Sequence, residues 1–124
     1  MVEAAKGRVA GRFAGGVRGV RRQLVIHPRA DLDTLECFAY LAKHNPSAAK
    51  RFLDSIEQLL PKIAAKPEDG HRYLNAKRTD DDWRYVRVPG FKKYMLFYRL
   101  TSTQIEVVRI VHGARDMESI FRVL

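Results

Sequence analysis

The stretch WRYVRVPGFKKYMLFYRLTSTQIEVVRIVH, Trp83 to His112, decides the fold. Three runs within it, Trp83–Val88, Tyr94–Leu100 and Ile105–His112, are rich in aromatic and β-branched residues that recur with a period of two. Pro89-Gly90 and Thr101-Ser102-Thr103 separate them, as turns separate consecutive antiparallel strands, so the stretch predicts a three-stranded meander. In the middle run Tyr94, Leu96, Tyr98 and Leu100 fall on one face and Lys93, Met95, Phe97 and Arg99 on the other. Both faces of the sheet therefore carry apolar surface.

Upstream of the meander the period changes to that of a helix. Leu32, Leu35, Phe38, Ala39 and Ala42, within Arg29–His44, lie three and four apart, on one face of an amphipathic helix. Asn45-Pro46 marks a boundary, with Asn45 suited to cap a second helix and Pro46 to its first turn. Ala49, Phe52, Leu53, Ile56, Leu59, Leu60 and Ile63 then define the apolar stripe of that second helix, which Pro61 is expected to kink or end near Leu60 and which, since the spacing continues through Ile63, is expected to resume or fray beyond it. Helices joined this tightly form an antiparallel hairpin. Before it, Gln23 to His27 contains Leu24-Val25-Ile26 and stops at Pro28, a brief first strand. Pro67 to Asp82 is polar and reads as a loop, and Asp116 to Leu124 as a last helical turn or an extended tail. The fold expected is α+β: a short N-terminal strand, an antiparallel helical hairpin and a three-stranded antiparallel meander, in one domain over 23–124.

Residues 1–22 stand apart. They are Gly, Ala, Arg and Val without a sustained period, and read as a disordered basic extension, the mark of a start codon assigned too far upstream; a phosphate-contacting arm is the other reading. The chain has 23 Lys and Arg against 14 Asp and Glu, net +9. Residues 1–24 hold +5 of that, so the folded part is only modestly basic. A positive field of this kind favours polyanions or acidic protein segments without choosing between them. Cys37 is the single cysteine, which excludes an intramolecular disulfide and a cysteine zinc cluster and fits a reducing cytosol. No apolar run has the length of a signal peptide or membrane span, so a cytoplasmic protein is expected.

Several groups could carry chemistry. Arg84, Arg87, Lys92, Lys93, Arg99 and Arg109 are interleaved on the meander with Tyr94 and Tyr98, a pattern suited to phosphate and base stacking. His112 ends the last strand, where it could act as acid or base or brace the turn at Gly113-Ala114-Arg115. His27, His44 and His71 lack metal-ligand spacing, and Asp80-Asp81-Asp82 has no second ligand cluster, so neither metal nor cofactor is expected.

Four segments, VIHPRADLDTLECFAYL (25–41), NPSAAKRF (45–52), YMLFYRL (94–100) and IVHGARDMESIF (110–121), resemble in sequence and order the RelE/ParE toxins of bacterial type II toxin–antitoxin systems. The resemblance runs from about Leu24 to the C-terminus, and His112-Gly113-Ala114-Arg115-Asp116 is its most specific piece. It implies a toxin neutralised by a cognate antitoxin whose acidic or amphipathic tail wraps the hairpin and sheet, with Arg87, Lys93, Tyr94, Tyr98, Arg99, Arg109 and Arg115 as partner-binding residues. RelE-like members cut messenger RNA on the ribosome, commonly with an Arg before the hydrophobic triplet of the middle strand and a Tyr or His near the C-terminus. Here Met95-Leu96-Phe97-Tyr98 lacks that Arg and Phe121–Leu124 has neither Tyr nor His. The chain therefore resembles the ParE branch more closely, which implies a non-enzymatic inhibitor of DNA gyrase. The alternative is a ribosome-dependent messenger-RNA endoribonuclease with Lys92, Lys93, His112 and Arg115 as a diverged catalytic set. A degenerate member that only binds an antitoxin is the third reading.

Overall fold

A computed structural model describes residues 7–14, 21–73 and 82–113. The chain runs β1 (Arg8–Ala14), β2 (Arg21–Ile26), α1 (Pro28–His44), α2 (Pro46–Ala65), a 3-10 turn (Pro67–Asp69), β3 (His71–Arg72), β4 (Asp82–Val88), β5 (Phe91–Leu100) and β6 (Gln104–His112). The architecture is α+β, with two helices against a six-stranded mixed sheet ordered β1-β2-β6-β5-β4-β3. Strands β4, β5 and β6 form the meander, antiparallel throughout.

The rest of the sheet departs from the sequence reading. β2 joins beside β6 in parallel, Leu24 opposite Ile105 and Ile26 opposite Val107, which no local pattern could show because the partners lie some eighty residues apart. β3 adds two residues to the edge of β4, inside what reads as a polar loop; residues 74–81 of that loop lie outside the described residues. Residues 8–14, expected to be poorly ordered, form β1, antiparallel to β2. The physical reason is that β2 offers a bare edge on the side away from β6, and main-chain pairing asks for no hydrophobic period. Arg8 adds a bidentate ion pair to Asp31 in the first turn of α1, Nε to Oδ2 at 2.8 Å and Nη2 to Oδ1 at 3.1 Å.

Asn45 alone joins the two helices. Its N–H donates to the Leu41 carbonyl at 2.8 Å, closing α1, and its Oδ1 accepts from the Ala48 N–H at 3.1 Å, opening α2. With Pro46 at the first position of α2, where an N–H has no partner anyway, the chain turns without spending a loop. α2 buries Ala49, Phe52, Ile56, Leu59 and Ile63, the expected stripe. It does not end at Leu60 but continues to Ala65, with Pro61 on the exposed face, where water can take the Glu57 carbonyl that loses its partner.

The core lies between helices and sheet, with Leu24, Ile26, Phe52, Ile56, Leu96, Tyr98, Ile105, Val107 and Ile110 at its centre. A second cluster, Trp83, Met95, Phe97, Val108 and Val111, occupies the opposite face, with Tyr73 and Tyr85 against it. The alternation expected of β5 holds, since Leu96 and Tyr98 belong to the first cluster and Met95 and Phe97 to the second. In β6 a bulge intervenes where Phe97 pairs with Arg109 and Tyr98 with Val107. The extra residue shifts the phase, so Ile105 and Val107 share their face with Ile110 instead of Val111. No described helix is long and apolar enough to cross a membrane.

Candidate functional site

The rotation of α1 decides what the molecule presents. The stripe read from its spacing does not pack on the sheet as a whole: Leu32 is 44% exposed and Leu35 65%, Ala39 is exposed, and Phe38 and Ala42 are only half-buried. Ala30 and Asp33 are the buried residues instead, with Cys37 and Leu41 packed against the core. Asp33 explains this orientation. Its carboxylate, 3% exposed, accepts from Arg109 Nε at 2.7 Å and Nη2 at 3.1 Å, and from the Ile110 N–H at 2.9 Å; Arg29, one turn earlier, approaches to 3.3 Å. A carboxylate satisfied this fully belongs inside, and α1 must turn Asp33 toward β6 to place it there. Leu32, Leu35 and Ala39 are thereby carried to the outside, leaving an apolar helix face with no partner among the described residues. The signal in the sequence was that α1 has apolar residues on two faces, Ala30, Cys37 and Leu41 as well as Leu32 and Leu35. Asp33 was missed because a single acid gives no periodic signal.

Beside this face, α1 and the adjoining ends of β5 and β6 enclose a cleft of about 320 Å³, with Glu36, Tyr40, Tyr94, Arg109 and His112 in its walls. His112 stands edge-on to Tyr94 at 5.0 Å between centroids, and Tyr94 to Phe52 at 5.1 Å. His112 Nδ1 is buried and has no hydrogen-bond partner among the described residues. Acids and bases balance in this cleft, since Arg29 and Arg109 stand against Asp33 and Glu36.

The residues proposed from the sequence as partner-binding do not converge on one exposed surface. Tyr98 is in the core: its hydroxyl donates to the Pro67 carbonyl at 2.7 Å, and burial pushes its pKa up to about 12. Tyr94 is buried under the cleft. Arg109 is held by Asp33. Arg99 binds Glu106 at 2.8 Å and lies over the Trp83 ring at 5.5 Å. Glu106 is also hydrogen-bonded by His27 Nε2 at 3.1 Å, and that bond, with Arg99, holds the carboxyl below its ordinary range against the opposing effect of burial. Arg87 is exposed and donates to the Lys92 carbonyl at 2.9 Å; Lys92 and Lys93 are exposed beside it. Arg115 lies outside the described residues. Of the alternative catalytic set, His112 shares the helical face with Tyr94, its register partner, whereas strand alternation puts Lys93 on the opposite face with Met95. The described members do not form a cluster in which one group could take a proton while another met a phosphate. Among the described residues no group of three or more acids, histidines or cysteines could hold a metal ion.

Residues 24–117 match the sequence profile of the family described as the ParE toxin of the type II toxin–antitoxin system parDE. The fold is similar to a chain of the chromosomal ParDE toxin–antitoxin system from P. aeruginosa, with 13% identity, a TM-score of 0.60, and 73% of this chain and 94% of that chain covered. At that identity the likeness is one of fold. No curated protein matches the sequence.

Proposed function

We propose that this chain, which belongs to the ParE toxin family of type II toxin–antitoxin systems, arrests growth in the bacterial cytoplasm by binding DNA gyrase and is held inactive by a cognate antitoxin seated on the outer face of α1. The observation that supports the antitoxin site is the apolar face of Leu32, Leu35 and Ala39, turned to solvent by the buried Asp33–Arg109 pair. A fully exposed leucine gains about 1.5–3 kcal/mol on full burial, and Leu32 and Leu35, 44% and 65% exposed, together offer about one leucine's worth, so covering both favours a partner by roughly ten- to a few hundredfold. An amphipathic helix fits this face with its apolar side, and acidic residues on its flanks meet a chain of net charge +9. Exposed Arg87, Lys92 and Lys93 at the β4–β5 turn lie outside this face and are the basic surface offered to the target. Gyrase as that target is the family expectation.

The test has two parts. Purified protein is added to gyrase in a supercoiling assay, and DNA and protein synthesis are followed separately in cells expressing the chain. Inhibited supercoiling with arrested replication supports the reading. Prompt translation arrest with cleaved messages would replace it with the ribonuclease. For the antitoxin, Leu35→Asp should leave folding and growth arrest intact and weaken antitoxin binding at least thirtyfold; unchanged affinity would remove α1 as the site.

A further inference from the structure

β1 precedes the segment that matches the family, and its place in the fold has a functional consequence. An apolar cavity of about 160 Å³ lies between hairpin and sheet, walled by Ile26, Leu53, Ile56, Leu60, Val107 and Ile110. Arg8 and Asp31, 60% and 41% exposed at their side chains, form its solvent side. Arg8 sits opposite Ile26 in the β1–β2 ladder, and its guanidinium reaches across to Asp31 rather than filling the space. A cavity of this size and lining suits a small aliphatic group better than a cation.

β1 is an edge strand, paired on one side only, to β2. None of the side chains described on it, at residues 8–11, belongs to either core cluster, a bulge interrupts its ladder between Val9 and Gly11, and the Arg8–Asp31 ion pair is exposed. Exposed ion pairs contribute little, and a stretch whose described side chains are exposed opens at low cost. The edge beneath it is well formed. The Gln23 N–H donates to the Thr103 carbonyl just before β6 and the His27 N–H to the Val107 carbonyl on it, so alternation directs the Leu24 and Ile26 N–H groups toward β1.

We propose that β1 is a displaceable strand covering a docking site on the β2 edge. The segment that replaces it is an extended stretch of the antitoxin, with an aliphatic side chain opposite Ile26 that enters the cavity. Asp31 excludes an acid at that position, which separates this contact from the acidic flanks proposed for the α1 face. The proposal rests on the antitoxin reading for its partner, whereas the site itself can be tested without one. The chain's own N-terminus thus sets how readily the partner engages.

The test uses the full chain and a synthetic octapeptide of residues 7–14 carrying R8L. Val9 and Val25 are register partners, and because the Val25 N–H faces β6 they form a non-hydrogen-bonded pair, the closer kind, which a disulfide can span. In V9C/V25C the bridge locks β1 in place when oxidised and releases it when reduced. The reduced protein should show saturable amide shifts at Leu24 and Ile26 on adding the peptide, the oxidised protein none, and the peptide with native Arg8 should bind about tenfold more weakly. Gly7→Ala, whose Cβ would strike the Ile26 carbonyl, should loosen β1 and strengthen peptide binding. Equal binding to the locked and released forms, or no shift at Leu24 and Ile26 in the reduced protein, would overturn the proposal. Either result would leave the α1 reading to be judged by Leu35→Asp.

Discussion

Replacing Asp33 with alanine removes the acceptor that Arg109 and the Ile110 N–H share, and the cost can be worked from the geometry. Arg109 is only 14% exposed at its side chain, so losing its counter-charge leaves a cation in a poorly hydrated site, and the Ile110 N–H loses its partner as well. Breaking a buried pair from one side costs about 3–5 kcal/mol, much of it the penalty on the group left behind. At a urea m-value of about 1.5–2 kcal/mol/M, that lowers the unfolding midpoint by roughly 2 M, read by far-ultraviolet circular dichroism. The reasoning makes a second, sharper demand. Asp33→Ala combined with Arg109→Met should be more stable than Asp33→Ala alone, because the stranded charge is gone and an apolar chain of similar length fills its place. If Asp33→Ala costs less than about 1 kcal/mol, or the double variant is no better than the single, then the pair does not set the rotation of α1. The exposure of Leu32 and Leu35 would then need another cause.

Two further outcomes follow from buried polar groups. Tyr98→Phe should cost about 1–2 kcal/mol in chemical denaturation through the abandoned Pro67 carbonyl. Because burial raises the Tyr98 pKa from 10.0 to about 12, its contribution is whole below pH 10 and is lost as pH rises through that interval; the variant's melting temperature should therefore fall less steeply there than that of the wild type. Glu106 shifts the other way, its folded pKa lying below the ordinary 4.5, so it stabilises the fold above that pH and ceases to as pH falls through the folded value. The gap in melting temperature between the wild type and Glu106→Gln should be constant near neutrality and close below about pH 4.5, and a gap independent of pH would contradict the His27–Glu106–Arg99 network.

What could be read from the sequence was whatever repeats. The alternation of Tyr94 to Leu100 survived into the two faces of β5, and Phe52, Ile56, Leu59 and Ile63 pack as their spacing required. Features set by one residue or by distant pairing were invisible. Asp33 overrode the leucine stripe of α1 because a fully satisfied carboxylate outweighs two exposed leucines, and no window average registers a single acid. β1 shows no period, and the side chains described on it, at residues 8–11, lie outside the core. The candidate site suffered most. Tyr98, Arg99 and Arg109 read as one basic-aromatic surface, yet each is absorbed by an internal partner, Pro67, Glu106 and Asp33 respectively.

The parallel seam between β2 and β6 bears on when this protein can act at all. Gln23 and Gln104 are side-chain partners at a separation of 81 residues, so β2, made early, must wait for β6, the last of the described strands. Closing so long a loop is entropically costly until the contacts that reward it exist, and folds dominated by such pairings assemble slowly. Mutational probing of the folding barrier at Leu24 and Ile105 should find their mutual contact absent from the transition state. A nascent toxin is then inert through nearly all of its synthesis, and the cell has that interval in which to have an antitoxin already waiting.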